Sequence, residues 1–352
     1  MAIYLRMDAW IASSPTPRND TPMKKILLVK TSSLGDVIHN LPVVNDILQH
    51  YPDAKIDWVV EENFADIPRL HPKVNQVFTV AMRRWRKAIF KQKTWAEVKK
   101  SKQLLSLEAY DFVIDTQGLL KSALISSQTK GIKHGYDQHS IREPFASHFY
   151  DITHSISYQQ HAVIRNRTLA AMSLGYSVPT GAPDYGLEKH GIALPNAKTP
   201  ALDLPDITLP AHFFVALHGT SKESKLWPEA YWIQLGQQLA AQQLVMVLPW
   251  ASDAELARAQ SIAAQVPSAI VLPKCSIATL AAIIAKTKIA IGVDTGLSHL
   301  AAALDIPTIA LYTDTNPALT GVMAGNKMPT VNLGGKQKVP SVADVIKNLT
   351  LI

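Results

Sequence analysis

The sequence predicts an α/β protein of two open-sheet halves facing across a cleft, and three observations carry that expectation. Short β-rich runs alternate with longer helical patterns, which implies parallel sheets with helices on both faces. The alternation stops in a Pro-, Gly- and Asp-rich stretch over residues 175–210 and then starts again. The 352 residues also exceed what one hydrophobic core usually serves.

In the first half, strands are expected over residues 25–30, 56–61, 77–81, 112–116 and 133–136. Helices are expected over 36–51, 95–110 and 158–174, the last stopped by Gly175. The connecting stretch has room for one short hairpin. In the second half, strands are expected over 213–218, 244–248, 269–272, 289–293 and 308–312, with helices over 229–241, 253–265, 277–286 and 297–304. The division is 1–22 as an extension, 23–180 as the first domain, 181–335 as the second, and 336–352 as a tail. The helix of that tail, over 341–349, is expected to pack back on the first domain.

Composition narrows the class. An apolar fraction of 47% with 18% charged residues describes a globular protein with ample core material. No run reaches the length of apolar residues that spans a bilayer. Cys275 is the only cysteine, so neither an intrachain disulfide nor a multi-cysteine zinc site is available, and a reducing compartment fits. In residues 1–22, Arg6 and Asp8 interrupt any signal-peptide core. That stretch reads as a disordered extension or an artefact of start-codon choice, with a cleaved signal as the alternative.

The formal charge is +7, and residues 83–102, RRWRKAIFKQKTWAEVKKSK, hold nine Lys/Arg against one acid, Glu97. This net +8 accounts for the whole excess. It is either a solvated helix face or a site for phosphates or carboxylates, on a substrate or at a membrane surface. Nucleic acid is not expected, because no helix-turn-helix, zinc-finger or RNA-recognition signature accompanies it.

Several familiar devices are missing. No G-x-G-x-x-G follows the first strand, which argues against a dinucleotide oxidoreductase. TVNLGGKQ has Thr330 and Gln337 where a phosphate loop needs Gly and Ser/Thr, and in GLSHL Leu300 replaces the last Gly of a nucleophile elbow. No H-E-x-x-H or clustered Asp/His set suggests a metal, and no cofactor is expected.

Four strand-to-helix turns carry the chemistry. In VKTSSLGDVIHNLP, Ser33 and Gly35 lie at a sharp turn, and Gly35 lets backbone approach a ligand. Asp36 there either caps the helix or acts as a general base facing the cleft. In HGTSKESKLWP, Thr220, Ser221 and Lys225 suit a diphosphate, or else serve as caps and a solvated charge. In LPWASDAE, Asp253 and Glu255 can accept from ribose hydroxyls or act as first-turn acids. IGVDTGLSHLAAAL is the most informative. Asp294 can orient a turn or a ligand hydroxyl, and Thr295, Gly296 and Leu297 present amides at a helix start. His299 follows within one turn and can face the same anion.

KTSSLGD, KLWP and DTGLSHL, in this order and on these elements, resemble the bacterial lipopolysaccharide heptosyltransferases. WVVEENFADIP, RRWRKAIF, DTQGLLKSAL and REPFASHFY are similar to the heptosyltransferase I branch in particular. The similarity runs from about Lys24 to Leu351. It implies a GT-B architecture of two Rossmann-like αβα domains, the first binding acceptor and the second the ADP-sugar. It also implies transfer of L-glycero-D-manno-heptose from ADP-heptose to the first Kdo of Kdo-lipid A, with inversion and without a metal. Carried across, Asp36 and Lys225 become catalytic, and Thr220, Ser221, Glu255, Cys275, Asp294, Thr295, Gly296 and His299 surround the donor. Cys275 stands where relatives place a methionine near adenine, and Ser221 replaces a Thr but keeps the hydroxyl. Ser33, Gly35, Arg83, Arg86, Lys87, Lys121 and Arg142 fall on the acceptor side. The resemblance implies a peripheral location on the cytoplasmic face of the inner membrane, where Trp85, Ile89 and Phe90 either meet the inner leaflet or belong to the core. The rivals are heptosyltransferase II or another ADP-heptose transferase, a GT-B sugar-nucleotide epimerase, and a non-catalytic lipopolysaccharide-binding or nucleotide-sensing module.

Overall fold

The computed structural model describes residues 23–187, 208–325 and 327–349. The extension over 1–22, and most of the stretch where a hairpin was expected, lie outside the described residues.

Two six-stranded, all-parallel sheets form the framework. The first contains β1 (Lys25–Val29), β2 (Lys55–Glu61), β3 (Val74–Val80), β4 (Ala109–Asp115), β5 (Lys130–Tyr136) and β6 (Ile152–His154), ordered β3-β2-β1-β4-β5-β6. The second contains β7 (Phe213–Leu217), β8 (Val245–Leu248), β9 (Ile270–Val271), β10 (Ile289–Val293), β11 (Thr308–Tyr312) and β12 (Thr330–Gly334), ordered β12-β11-β10-β7-β8-β9. Both halves repeat one topology, in which the first three strands step one way and the next three the other. The strand order reverses between β1 and β4, and again between β7 and β10. A crevice opens beyond the carboxyl ends of the strands at each such point.

Strands β7 and β10 are apolar and buried throughout, and β1 is so from Ile26 onward, because both faces are covered. Ile26 and Leu28 of β1 join one buried cluster, while Leu27 and Val29 join another on the opposite face. In β7, Phe213, Val215 and Leu217 alternate in the same way with Phe214 and Ala216. The first cluster crosses between the lobes, taking in Ile38 and Leu41 from one and Leu300 and Ile306 from the other.

Three expectations need correction. The helix expected over 36–51 is two helices, Leu34–Ile38 and Leu41–His50, because Pro42 has no amide to continue the first and restarts the second. Strands β6 and β12 were not anticipated. The terminal helix, Val342–Leu349, packs on the second lobe, burying Val342 and Val345 with Trp227 and Trp232. Its apolar stripe fits that face, so it does not serve as a strap onto the first lobe.

Candidate active site

The loop after β1 turns at Ser33 into the helix Leu34–Ile38, putting Asp36 in its first turn. Asp36 Oδ2 accepts from Ser33 N at 2.7 Å and Ser33 Oγ at 2.9 Å, which is the capping arrangement. Both bonds fall on one oxygen, and Oδ1 has no hydrogen bond among the described residues. Asp36 lines a cavity of about 330 Å³ together with Lys30, Tyr136, Arg142 and Arg165 of its own lobe and Thr315 and Asn316 of the other. The cavity therefore belongs to both lobes.

Its floor is polar and braced. Lys30 is buried, and its Nζ donates to Thr116 O at 2.7 Å and to Asn166 Oδ1 at 3.3 Å. Burial pulls the Lys30 ammonium below its ordinary range, opposed by the charges of Asp36 and Asp115. The Arg165 guanidinium lies between the rings of Tyr136 and Tyr158, 4.5 Å from each centroid, and donates to Ser140 O.

Across the cavity, the second lobe offers the carboxyl ends of five consecutive strands. Lys225 Nζ meets Asp294 Oδ2 at 2.6 Å, Thr315 Oγ1 donates to the same oxygen at 2.5 Å, and Thr220 Oγ1 donates to Asp294 O at 2.9 Å. Thr315 thus touches the Lys225–Asp294 pair and also lines the Asp36 cavity. Glu255 folds over Gly219, with its Oε2 accepting from Ala251 N at 2.7 Å. Ser221 is exposed. Thr295, Gly296 and Leu297 start the helix Gly296–Ala303 and are half-buried, so their turn is not sealed beneath protein. Cys275 lies apart, beyond β9 at the sheet edge. Its thiol is pushed up by burial, and it packs as a small apolar side chain on the core.

His299, expected to face the same anion, is buried, with Nδ1 3.0 Å from His39 Nε2 of the first lobe. Burial lowers its pKa to about 4, so the ring is neutral near pH 7. The lobes close against each other here: Gly35 lies under the His299 ring and Gly296 under Leu34. Asp66 Oδ2 adds a bond from Ala278 N at 3.3 Å.

The basic residues divide into two places. Arg142 joins Asp36, while Arg83, Arg86 and Lys121 line a separate groove, and Lys87 lines neither. Lys121 links the two, because its Nζ donates to Ser32 Oγ at 2.6 Å in the loop leading to Asp36. Lys30, Arg165 and Thr315 escaped the sequence reading. The only local signal was a strand end for Lys30 and Thr315, and Arg165 sits on an ordinary amphipathic helix. Among the described residues, no helix is long and apolar enough to cross a membrane, and no group of three or more His/Cys/Asp/Glu could hold a metal.

A carboxylate on one lobe facing an anion-ready turn on a second lobe of the same topology is the layout of a GT-B glycosyltransferase. Comparison with known proteins agrees. Residues 98–352 match the model of glycosyltransferase family 9 (heptosyltransferase). The chain is 46% identical over 305 residues to lipopolysaccharide heptosyltransferase 1 of Escherichia coli K12, covering 86% of this chain and 92% of that one. It is 45% identical to lipopolysaccharide heptosyltransferase 1 of Pseudomonas aeruginosa over 298 residues, 84% of this chain and 81% of the relative. The solved structure of E. coli heptosyltransferase WaaC with ADP superposes with a TM-score of 0.82 at 41% identity, covering 93% of this chain and 99% of that chain. WaaC has also been solved with ADP-2-deoxy-2-fluoro heptose, and it superposes with a TM-score of 0.80 at 40% identity over 93% of this chain and 99% of that one. The chain belongs to glycosyltransferase family 9, the heptosyltransferases.

Proposed function

We propose that this heptosyltransferase moves L-glycero-D-manno-heptose from ADP-heptose to the first Kdo of Kdo-lipid A. The observation that carries the mechanism is that Thr315, which lines the Asp36 cavity, also donates to Asp294 of the Lys225–Asp294 pair. The acceptor hydroxyl oxygen attacks the anomeric carbon as the bond to the diphosphate breaks on the opposite side, inverting that centre. The hydroxyl proton passes to Asp36 Oδ1, while Oδ2 stays fixed by Ser33. ADP leaves with its charge met by Lys225 and by the amides at Thr295–Leu297. Ser221, Glu255 and Cys275, on the segments after β7, β8 and β9, are assigned to the nucleoside. His299, spent on His39, positions the turn from behind. Arg142, Lys30 and Arg165 place cations beside Asp36 for an acidic sugar.

The type 1 assignment is supported by the 46% identity to the E. coli type 1 enzyme, against 26% to E. coli lipopolysaccharide heptosyltransferase 3. An acceptor in the inner leaflet brings the enzyme to the cytoplasmic face of the inner membrane as a peripheral protein. Exposed Ile89 and Phe90, beside the basic segment, are suited to that contact.

Asp36→Asn is expected to lower kcat by about 10²–10⁴ while ADP-heptose affinity holds. Ser33→Ala, which removes only the hydroxyl partner, is expected to keep most of the turnover. Near-normal kcat in Asp36→Asn, or equal losses in both variants, would return Asp36 to capping alone.

A further inference from the structure

The loop that delivers Asp36 is held from both sides of the sheet. Strand β1 lies between β2 and β4, and its last residue, Val29, stands in register with Asp115 of β4. On the β2 side, Glu61 N donates to Thr31 O at 3.1 Å. On the β4 side a side chain takes over from the strand. Gln117 Oε1 accepts from Thr31 N at 3.0 Å and from Ser32 N at 2.9 Å. Both amides lie beyond the paired residues of β1, and both residues are buried, so the donors need an acceptor from the protein. One carbonyl oxygen with two lone pairs serves both. The next residue, Ser33, makes the two hydrogen bonds that hold Asp36 Oδ2.

Gln117 is itself anchored. Its backbone N–H and that of Gly118 donate to Asp115 Oδ1 at 2.9 and 3.2 Å, while Tyr150 Oη donates to Asp115 Oδ2 at 2.8 Å. Asp115 is fully buried. Gly118 takes φ +65°, and a Cβ there would stand 3.1 Å from both Tyr136 and Ile141, so the turn after Gln117 needs a glycine. The side chain it supports lines the same cavity as Asp36. We propose that Gln117 is a positioning residue for the transfer: its amide oxygen fixes the Thr31–Ser32 backbone, and through it the place from which Asp36 meets the acceptor hydroxyl. This rests on the reading of Asp36 as the base. An error of about 1 Å in such placement costs up to about 10²-fold in rate.

The test is a double-mutant cycle on kcat in the full-length enzyme, with ADP-heptose and Kdo-lipid A both saturating. Gln117→Met keeps the reach of the side chain and removes its acceptor. It is expected to lower kcat by about 10²-fold while ADP-heptose affinity holds. Gln117→Glu, which keeps an oxygen at that reach, is expected to retain kcat within about fivefold. Added to Asp36→Asn, Gln117→Met is expected to cost no more than about threefold further, because nothing is left to position. Thr31 O keeps Glu61 N and Ser32 Oγ keeps Lys121 Nζ in every variant, so the loop stays attached. Gln117→Ala, which admits water to the two amides, replaces Gln117→Met in the cycle if the methionine variant does not fold. Unchanged kcat in Gln117→Met overturns the proposal, as do equal losses in the Met and Glu variants. Losses that multiply in full in the double variant also overturn it, since a merely structural Gln117 would act independently of Asp36. Near-normal kcat in Asp36→Asn alone would instead strike the reading of Asp36 as the base, and this proposal with it.

Discussion

The seam between the lobes gives a sharp prediction through Gly296→Ala. A methyl on Gly296 would stand 2.5 Å from Leu34 Cγ and 2.6 Å from Leu34 Cβ and Cδ2, across the lobe boundary. Carbon contacts settle at about 3.5–4.0 Å, so the seam must open by about 1 Å or Leu34 must leave its rotamer. Gly296 does not have a positive φ, so the effect comes from contact and not from backbone strain. Overpacking of this kind costs about 1–3 kcal/mol, which lowers Tm by roughly 2–12 °C for lobes of this size. Moving the seam also shifts the turn Thr295–Leu297 relative to Asp36, and turnover is expected to fall more than stability. The assay pairs thermal unfolding with kcat for Gly296→Ala, Leu34→Ala and the double variant. The double variant is expected to regain part of both quantities, because truncation removes Leu34 Cγ and Cδ2 while its Cβ still stands 2.6 Å from the new methyl. Gly296→Ala with unaltered Tm and kcat, or a double variant with simply additive losses, would refute the contact as drawn.

Lys225→Met removes the cation paired with Asp294 at 2.6 Å but leaves Asp294 the Thr315 hydroxyl. ADP affinity measured by calorimetry is expected to fall by about 10–150-fold, the worth of charge-assisted hydrogen bonds, and unchanged binding would remove Lys225 from the diphosphate site. Burial lowers the pKa of His71, His218 and His299 to about 4 from 6.5. The unfolded chain therefore binds protons that the folded chain refuses as pH falls from 6.5 towards about 4, and stability is lost across that window, with no contribution from these rings above it. Urea midpoints at about pH 7.5, 6 and 5 should decline in that order, and a flat series would contradict the neutral burial of these rings.

How much was legible follows from the physics of each element. Strands β1, β7 and β10 were recognisable because both faces are covered and their runs are apolar, and β4 by its shorter apolar run Phe112–Ile114. Strands β6 and β12 close the sheets at their edges, with exposed or half-buried residues throughout Ile152–His154 and Thr330–Gly334, so no apolar run marks them. The stretch TVNLGGKQ was weighed as a failed phosphate loop and is in part β12. The break at Pro42 was readable in principle, since proline interrupts a helix, but the apolar period continued through it. The terminal helix shows its apolar stripe in the sequence, yet nothing in a stripe says which of two lobes it will meet.

The pairing of the two lobes was the least legible feature, and it decides the chemistry. Taken separately, the turns around Gly35 and Gly296 are two helix starts with small residues, each sufficiently explained by its own loop. In the structure each glycine is small because of a side chain on the other lobe, His299 over Gly35 and Leu34 over Gly296. No local spacing encodes a requirement that arises about 260 residues away, the separation of the His39–His299 contact. The same limit left Asp36 divided between cap and base when only the sequence was considered. Those alternatives assumed that one carboxylate does one thing. With Oδ2 held by Ser33 and the side chain lining the shared cavity, the cap would, under the proposed mechanism, supply the rigidity that proton transfer to Oδ1 requires. A helix cap at a lobe boundary is thus a ready support for a catalytic carboxylate.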